Sequence, residues 1–168
     1  MIEIYTDGSS RGNPGPGGWG LVVMSENRIL LAIGKEHKDN ITNNRMELSA
    51  LVLALELASK TFPTEWVTIY SDSAYCVNIC NEWIFNWSKN GWMNSKKQQV
   101  ENYDLVKKLW NYIEFPQGRW TIRKCSGHNG VIGNEIADAL ATNNKEKLLK
   151  ILTENNLEYD KEKIFENL

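Results

Sequence analysis

The stretch Tyr5–Gly20, YTDGSSRGNPGPGGWG, places a lone acid, Asp7, between an apolar strand and a run dense in Gly and Pro. Ile2, Ile4 and Thr6 alternate with Tyr5 ahead of it, the period-two signature of a strand, and Gly and Pro then punctuate the chain into a turn. Trp19–Met24 and Ile29–Ile33 read as two more strands, joined by the polar turn Ser25–Arg28, which gives a three-strand antiparallel meander. From Asn44 the period changes. Leu48, Leu51, Val52 and Leu55 recur at helical spacing, so a helix of about four turns follows and ends at Phe62-Pro63. Trp66–Tyr70 is a short strand; because a helix separates it from the meander, it is expected to lie parallel to the first strand.

Asp72–Trp87 and Tyr103–Ile113 read as helical, with Trp120–Lys124 a fifth strand between two breakers. The last helix is expected to start near Asn134 and to run unbroken through Leu148, Ile151 and Leu152 as far as Asn155-Asn156. The sum is an α/β domain with a five-stranded mixed sheet: strands 1–3 an antiparallel meander, strands 4 and 5 parallel, helices on both faces. Residues 1–144 are expected to make the main domain and 145–168 a helical extension of unassigned role, whose charges nearly cancel.

A chain of 168 residues suits one domain with a sizeable core. With 42% apolar and 24% charged residues, no apolar run of about 18 residues and no basic-then-apolar N-terminus, the sequence reads as cytoplasmic rather than membrane-bound or secreted. Cys76, Cys80 and Cys125 form no Cys-x-x-Cys pair and read as buried thiols rather than zinc ligands or a disulfide framework. The net charge of −2 argues against a uniformly basic nucleic-acid binder, but charge is uneven. Lys89, Lys96, Lys97, Lys107 and Lys108 face only Glu101 and Asp104 between residues 84 and 108.

Four acids then fall at telling places. Asp7 ends the first strand, Glu47 lies in the first turn of the long helix, Asp72 follows the fourth strand and Asp138 sits one turn into the last helix. Singly, each has an ordinary reading: Asp7 a turn residue, Glu47 a charge favoured by the helix dipole, Asp72 a helix cap, Asp138 a solvated position. Together they can share the crevice at the carboxyl ends of parallel strands. Ala50, Leu51 and Ala54 beside Glu47, and Ala137 and Ala141 beside Asp138, argue against two freely solvated charges. Carboxylates so gathered repel one another unless cations neutralise them, and an oxygen-only donor set suits Mg²⁺ or Mn²⁺.

The stretch TDGSSRGNPGPGGWG, TNNRMEL (42–48), SDSAY (71–75) and SGHNG followed by GNEIAD up to Asp138 resemble the four signature blocks of type 1 ribonuclease H. NWSKNGW (86–92) resembles that family's substrate-binding handle. The blocks span residues 1 to 143 in the family's order. The resemblance implies a ribonuclease H-like fold and an endoribonuclease that cuts the RNA strand of an RNA·DNA hybrid, leaving 5′-phosphate and 3′-hydroxyl ends. It makes Asp7, Glu47, Asp72 and Asp138 the metal-binding catalytic acids, with two Mg²⁺ ions during catalysis and Mn²⁺ as a substitute. His128 becomes a mobile catalytic assistant, whose ordinary pKa near 6.5 suits proton handling.

By the same resemblance, Asn13, Asn43 and Asn44 meet RNA 2′-hydroxyls, the groups that tell RNA from DNA in a shallow minor groove. Thr42, Arg45 and Asn86 hold a DNA phosphate, and Tyr75 with Trp83 form the channel for deoxyriboses. The handle is carried by Trp87, Lys89, Trp92, Lys96 and Lys97. It departs from the strongly basic form, because Ser88-Lys89-Asn90 stands where a run of cations would be. Gly8, Gly12, Gly15, Gly17 and Gly18 are expected to let the backbone approach the ligand. The partner implied is the hybrid duplex, with no membrane, no required protein partner and a monomeric enzyme. The competing functions are a sister DNA nuclease of the same superfold and a non-catalytic hybrid-binding module. The asparagines with the handle weigh against the first, and the complete acid set against the second.

Overall fold

The computed structural model describes residues 1–126 and 130–165. Its sheet is built on five long strands: β1 (Ile2–Ser10), β2 (Gly15–Ser25), β3 (Arg28–Ile41), β4 (Trp66–Ser71) and β5 (Arg119–Lys124). They lie in the order β5-β4-β1-β2-β3, with β1-β2-β3 antiparallel and β4 parallel to both β1 and β5. The expected meander and parallel pair are therefore present, but the sheet does not stop at five strands. Two-residue strands β6 (Glu158–Tyr159) and β7 (Ile164–Phe165) pair parallel with β3. They add backbone hydrogen bonds to what would otherwise be an open edge.

β2 explains why the sheet is covered on both sides. Leu21 and Val23 point into one apolar cluster and Val22 and Met24 into another, so the strand reads as a continuous apolar run. The first cluster takes α1 (Asn43–Glu56), α2 (Ala74–Asn78), α3 (Ile84–Lys89) and α4 (Tyr103–Ile113). A π-turn, Leu57–Thr61, continues α1, and another, Ile79–Trp83, joins α2 to α3. The second cluster takes α5 (Ile132–Ala141) and α6 (Lys145–Glu154), through Ile136, Leu140, Leu148 and Leu152.

Two expectations need correction. β3 runs on to Ile41 rather than ending at Ile33, because the polar stretch 35–37 pairs with Gly17, Gly18 and Trp19 and needs no apolar alternation to hold. The single last helix is two helices. Asn143 adopts φ 51°, and the Asn144 side chain accepts a hydrogen bond from Lys147 N at 3.0 Å, so the chain stops, turns and restarts. That break folds α6 back against α5, where Leu148 and Leu152 become buried. The extension is thus packed on the domain, with Leu149 and Lys150 on its exposed side.

Candidate active site

Sheet register accounts for the first two acids. Thr6 on β1 is the parallel partner of Ser71 on β4, so Asp7 and Asp72, each one residue further on, lie side by side. Asp72 follows the end of β4, whereas Asp7 does not end its strand as expected, because β1 stays paired with β2 as far as Ser10. The Thr6 hydroxyl donates to the Tyr70 carbonyl at 3.0 Å and ties the two strands together at that end. Glu47, the fifth residue of α1, joins them from the helix, just past the first turn in which it was expected. One oxygen from each of Asp7, Glu47 and Asp72 lies within 4.8 Å of the other two.

Two glycines set how closely the helices approach. A Cβ on Gly8 would lie 2.6 Å from the Met46 carbonyl carbon, so α1 rests directly on β1 beside Asp7. A Cβ on Gly20 would lie 2.7 Å from Ala141 N, and Gly20 is the antiparallel partner of Asp7. The space left by Gly8 is therefore filled by helix α1, not reserved for a ligand's approach as the sequence suggested. The seat at Gly20 brings α5, with Asp138, over the same point of the sheet.

The resulting site is buried and electrostatically strained. Asp7 and Glu47 are only 6% and 7% exposed. Burial, followed by the charges of Asp72 and Asp138, raises the Asp7 pKa well above the usual carboxylate range. Glu47 is raised in the same direction by burial, then by Asp7 and Asp72. Its Oε2 is buried with no hydrogen-bond partner. A buried, unpartnered carboxylate oxygen within a set of three such groups fits a hard divalent cation of the Mg²⁺ or Mn²⁺ type, which takes oxygen ligands and cancels the repulsion.

Asp138 is placed differently. It is near enough to raise Asp7, yet its carboxylate does not join the trio. Lys147 Nζ donates to Asp138 Oδ2 at 2.6 Å and lies 3.0 Å from Glu135 Oε2. Sequence reasoning missed Lys147 because the break between α5 and α6 was not foreseen; the tandem asparagines 143 and 144 are the signal that could have revealed it. His128 lies outside the described residues.

The asparagine group is partly assembled. Asn13 Oδ1 accepts from Asn43 N at 3.1 Å, and Asn43 Oδ1 accepts from Ser10 N and Ser10 Oγ at 2.6 and 2.9 Å. Asn44 follows at the start of α1. Thr42 caps that helix, its Oγ1 accepting from Arg45 N at 3.1 Å. Arg45 is engaged by Asp104 in a fork of 2.9 and 2.6 Å, with Asn102 Oδ1 at 3.3 Å. That fork holds the Asp104 carboxyl down at about 2. Among the described residues no hydrogen bond joins Asn86, exposed on α3, to Thr42 or Arg45.

Around the expected channel and handle, the aromatic residues form two sets of ring contacts. Tyr75 meets Trp83 edge-on at 5.8 Å, Trp83 lies 6.1 Å from Trp87, and Trp92 packs on Tyr103 and Trp110. Lys107 Nζ sits 4.9 Å over the Trp92 ring, a cation the handle reading had left out. Lys89, Lys96 and Lys97 are exposed around this root. All three cysteines are buried and free. Among the described residues no helix is long and apolar enough to cross a membrane.

Comparison with known proteins gives a consistent answer. The family model for RNase H matches residues 1–146. The ribonuclease H of Orientia tsutsugamushi (strain Boryong) is 44% identical over 154 residues, 92% of this chain and 88% of that protein. The ribonuclease H of Legionella pneumophila (strain Corby) is 44% identical over 147 residues, 88% of this chain and 98% of its own. Among solved structures, LC11-RNase H1 in complex with RNA/DNA hybrid superposes with a TM-score of 0.60 at 25% identity, covering 89% of this chain and 99% of that one.

Proposed function

The chain belongs to the ribonuclease H family, and on that premise we propose that the acid cluster between β1, β4, α1 and α5 is its catalytic centre. The activity is endoribonucleolytic hydrolysis of the RNA strand of RNA·DNA hybrids. The single observation that carries the placement is the Asp7, Glu47 and Asp72 trio, with Glu47 Oε2 buried and unpartnered. Asp7, Glu47, Asp72 and Asp138 would hold two divalent cations, Mg²⁺ by preference of the donor set and Mn²⁺ as a substitute. Such ions, when bound, activate a water on one side of a phosphorus and stabilise the leaving 3′-oxygen on the other.

The protein's own part is positioning and proton handling. Asp7 lies within β1 and Asp72 directly follows β4, whose last paired residue, Ser71, is the partner of Thr6, so both acids are anchored close to the sheet backbone. Asp7, Glu47, Asp72, Asp138 and His128 make up the catalytic set, with His128 the proton-handling group near neutral pH. Asn13 and Asn43 have their amide oxygens held by protein, which leaves their NH₂ ends to meet 2′-hydroxyls alongside Asn44. Thr42, Arg45 and Asn86 would take a DNA phosphate, helped by the N-terminus of α1. Tyr75 and Trp83 line the deoxyribose path, and Trp87, Lys89, Trp92, Lys96 and Lys97 form the handle. We place the enzyme in the cytoplasm, where unpaired thiols persist, and as a monomer, since β6 and β7 cover the β3 edge.

Cleavage of an end-labelled hybrid in Mg²⁺, beside the same sequence as DNA duplex and as double-stranded RNA, tests the reading. Only the RNA strand of the hybrid is expected to be cut. Equal cutting of the all-DNA duplex would point to a sister nuclease instead.

The DNA grip carries its own prediction. Arg45 must exchange Asp104 for a phosphate, and because both side chains are substantially exposed, that ion pair is worth at most about 1 kcal/mol. Asp104→Asn should therefore tighten hybrid binding by about two- to fivefold. Arg45→Ala should weaken it and flatten the dependence of log Kd on log salt by about one unit of slope. Asn44→Ala should lose affinity with the slope unchanged, since a hydroxyl contact releases no counterion. Fluorescence anisotropy across a salt series reads all three, and an unchanged slope for Arg45→Ala would remove it from the phosphate site.

A further inference from the structure

We propose that Lys147 is a tethered counter-ion that occupies the Asp138 carboxylate and so weakens binding of the second divalent cation. The inference rests on the metal-binding reading of the acid cluster and adds to it a residue from the extension. Lys147 lies one residue past the end of the family-model match.

Three features build this position. The backbone of Lys147 is fixed by the Asn144 cap, through the 3.0 Å bond from its N–H. The rotation of α6 is fixed by burial of the next residue, Leu148, and of Leu152 one turn on, against α5. The side chain is then aimed at two acids on α5 three residues apart, with Nζ 2.6 Å from Asp138 Oδ2 and 3.0 Å from Glu135 Oε2. All three side chains are no more than 30% exposed. Screening by water is correspondingly reduced.

The consequence follows from competition for one carboxylate. Asp7, Glu47 and Asp72 already converge without Asp138, so a first cation can be held by the trio alone. A second cation that draws on Asp138 must displace an ammonium already bonded to it. Lys147 would then return to Glu135, so the displaced charge stays at the edge of the site. Lys150, also on α6, lies 4.0 Å from Glu154 on the exposed side of the helix and provides a control.

The test is Mn²⁺ binding to the whole chain, followed by calorimetry and by electron paramagnetic resonance to count ions. Lys147→Met should bind the second ion about three- to tenfold more tightly, with the first unchanged. Lys147→Arg and Lys150→Met should behave as the parent. Thermal melting separates this from a purely structural role: in EDTA Lys147→Met should melt below the parent, and in Mn²⁺ the gap should close. An isotherm superimposable on the parent's, or a melting gap equal in EDTA and Mn²⁺, overturns the inference. Asp7→Asn distinguishes failure of the underlying reading: if it binds Mn²⁺ as the parent does, the trio is not the metal site and the inference falls with it.

Discussion

Asp7→Asn should abolish hydrolysis of the hybrid while making the metal-free protein more stable. Asp7 occupies the centre of the cluster, next to Asp72 by strand register, within reach of Glu47, and close enough to Asp138 to feel its charge. Asn keeps the shape and one oxygen but removes a charge from the acid set that would hold the cations. Turnover in Mg²⁺ should fall below detection, and a residual rate above about a tenth of the parent would take Asp7 out of the catalytic set. The stability gain has a separate cause. A buried carboxylate surrounded by other carboxylates is unfavourable when ionised, so its loss should add about 1 kcal/mol or more near pH 8 in EDTA.

The same groups fix how stability varies with pH. Burial and neighbouring acids raise the folded-state pKa of Asp7 and Glu47 above their unfolded values, so the folded protein binds more protons than the unfolded one between those values. Their stabilising contribution is complete below the ordinary carboxylate range and is lost as pH rises through the raised values. Melting in EDTA should accordingly fall from about pH 5 to about pH 9, and the fall should be shallower in Asp7→Asn. A steeper fall in that variant would reverse the assignment of the strain.

The parts of the fold legible in the sequence are those where a side chain's own pattern decides its place. Ile2 and Ile4, Leu21 to Met24, and the Leu48–Leu55 stripe each announce a buried face, and each is buried as the pattern requires except Val52, which is half-buried. The acids were legible only in part: Asp72 follows β4 and Asp138 lies in α5 as expected, whereas Asp7 sits inside β1 rather than at its end and Glu47 falls past the first turn of α1. What stayed hidden depends on contacts between segments far apart. Nothing near Arg45 announces Asp104, which lies 59 residues away and reaches it only when α4 docks beside α1. The extension looked unassignable because two-residue strands have no period, and Glu158–Tyr159 pairs by backbone alone. Lys147 was read as one charge among many, since its meaning depends on the turn at Asn143.

Gly8 shows the same point at the scale of one atom, and its substitution should have the second large effect. Gly8 lies in β1 and not in the left-handed region, so by backbone preference alone Gly8→Ala should be neutral or slightly stabilising. Packing reverses the sign. The added Cβ would sit 2.6 Å from the Met46 carbonyl carbon and 2.8 Å from Met46 Cβ, with Glu47 N closer still. The nearest of these are backbone atoms, which no rotamer change can move, so α1 must shift outward and carry Glu47 away from Asp7 and Asp72. We expect a loss of about 1–3 kcal/mol in stability, the usual penalty of overpacking. Mn²⁺ affinity should drop at least tenfold, because a three-donor set loses its geometry as well as a contact. Gly91→Ala is the informative counterpart. Gly91 has φ 80° with no atom within 4 Å of the added Cβ, so it should cost about 1 kcal/mol through backbone strain and leave Mn²⁺ binding untouched. If Gly8→Ala instead matches Gly91→Ala in both measurements, α1 yields freely and the close seat on β1 does not position Glu47.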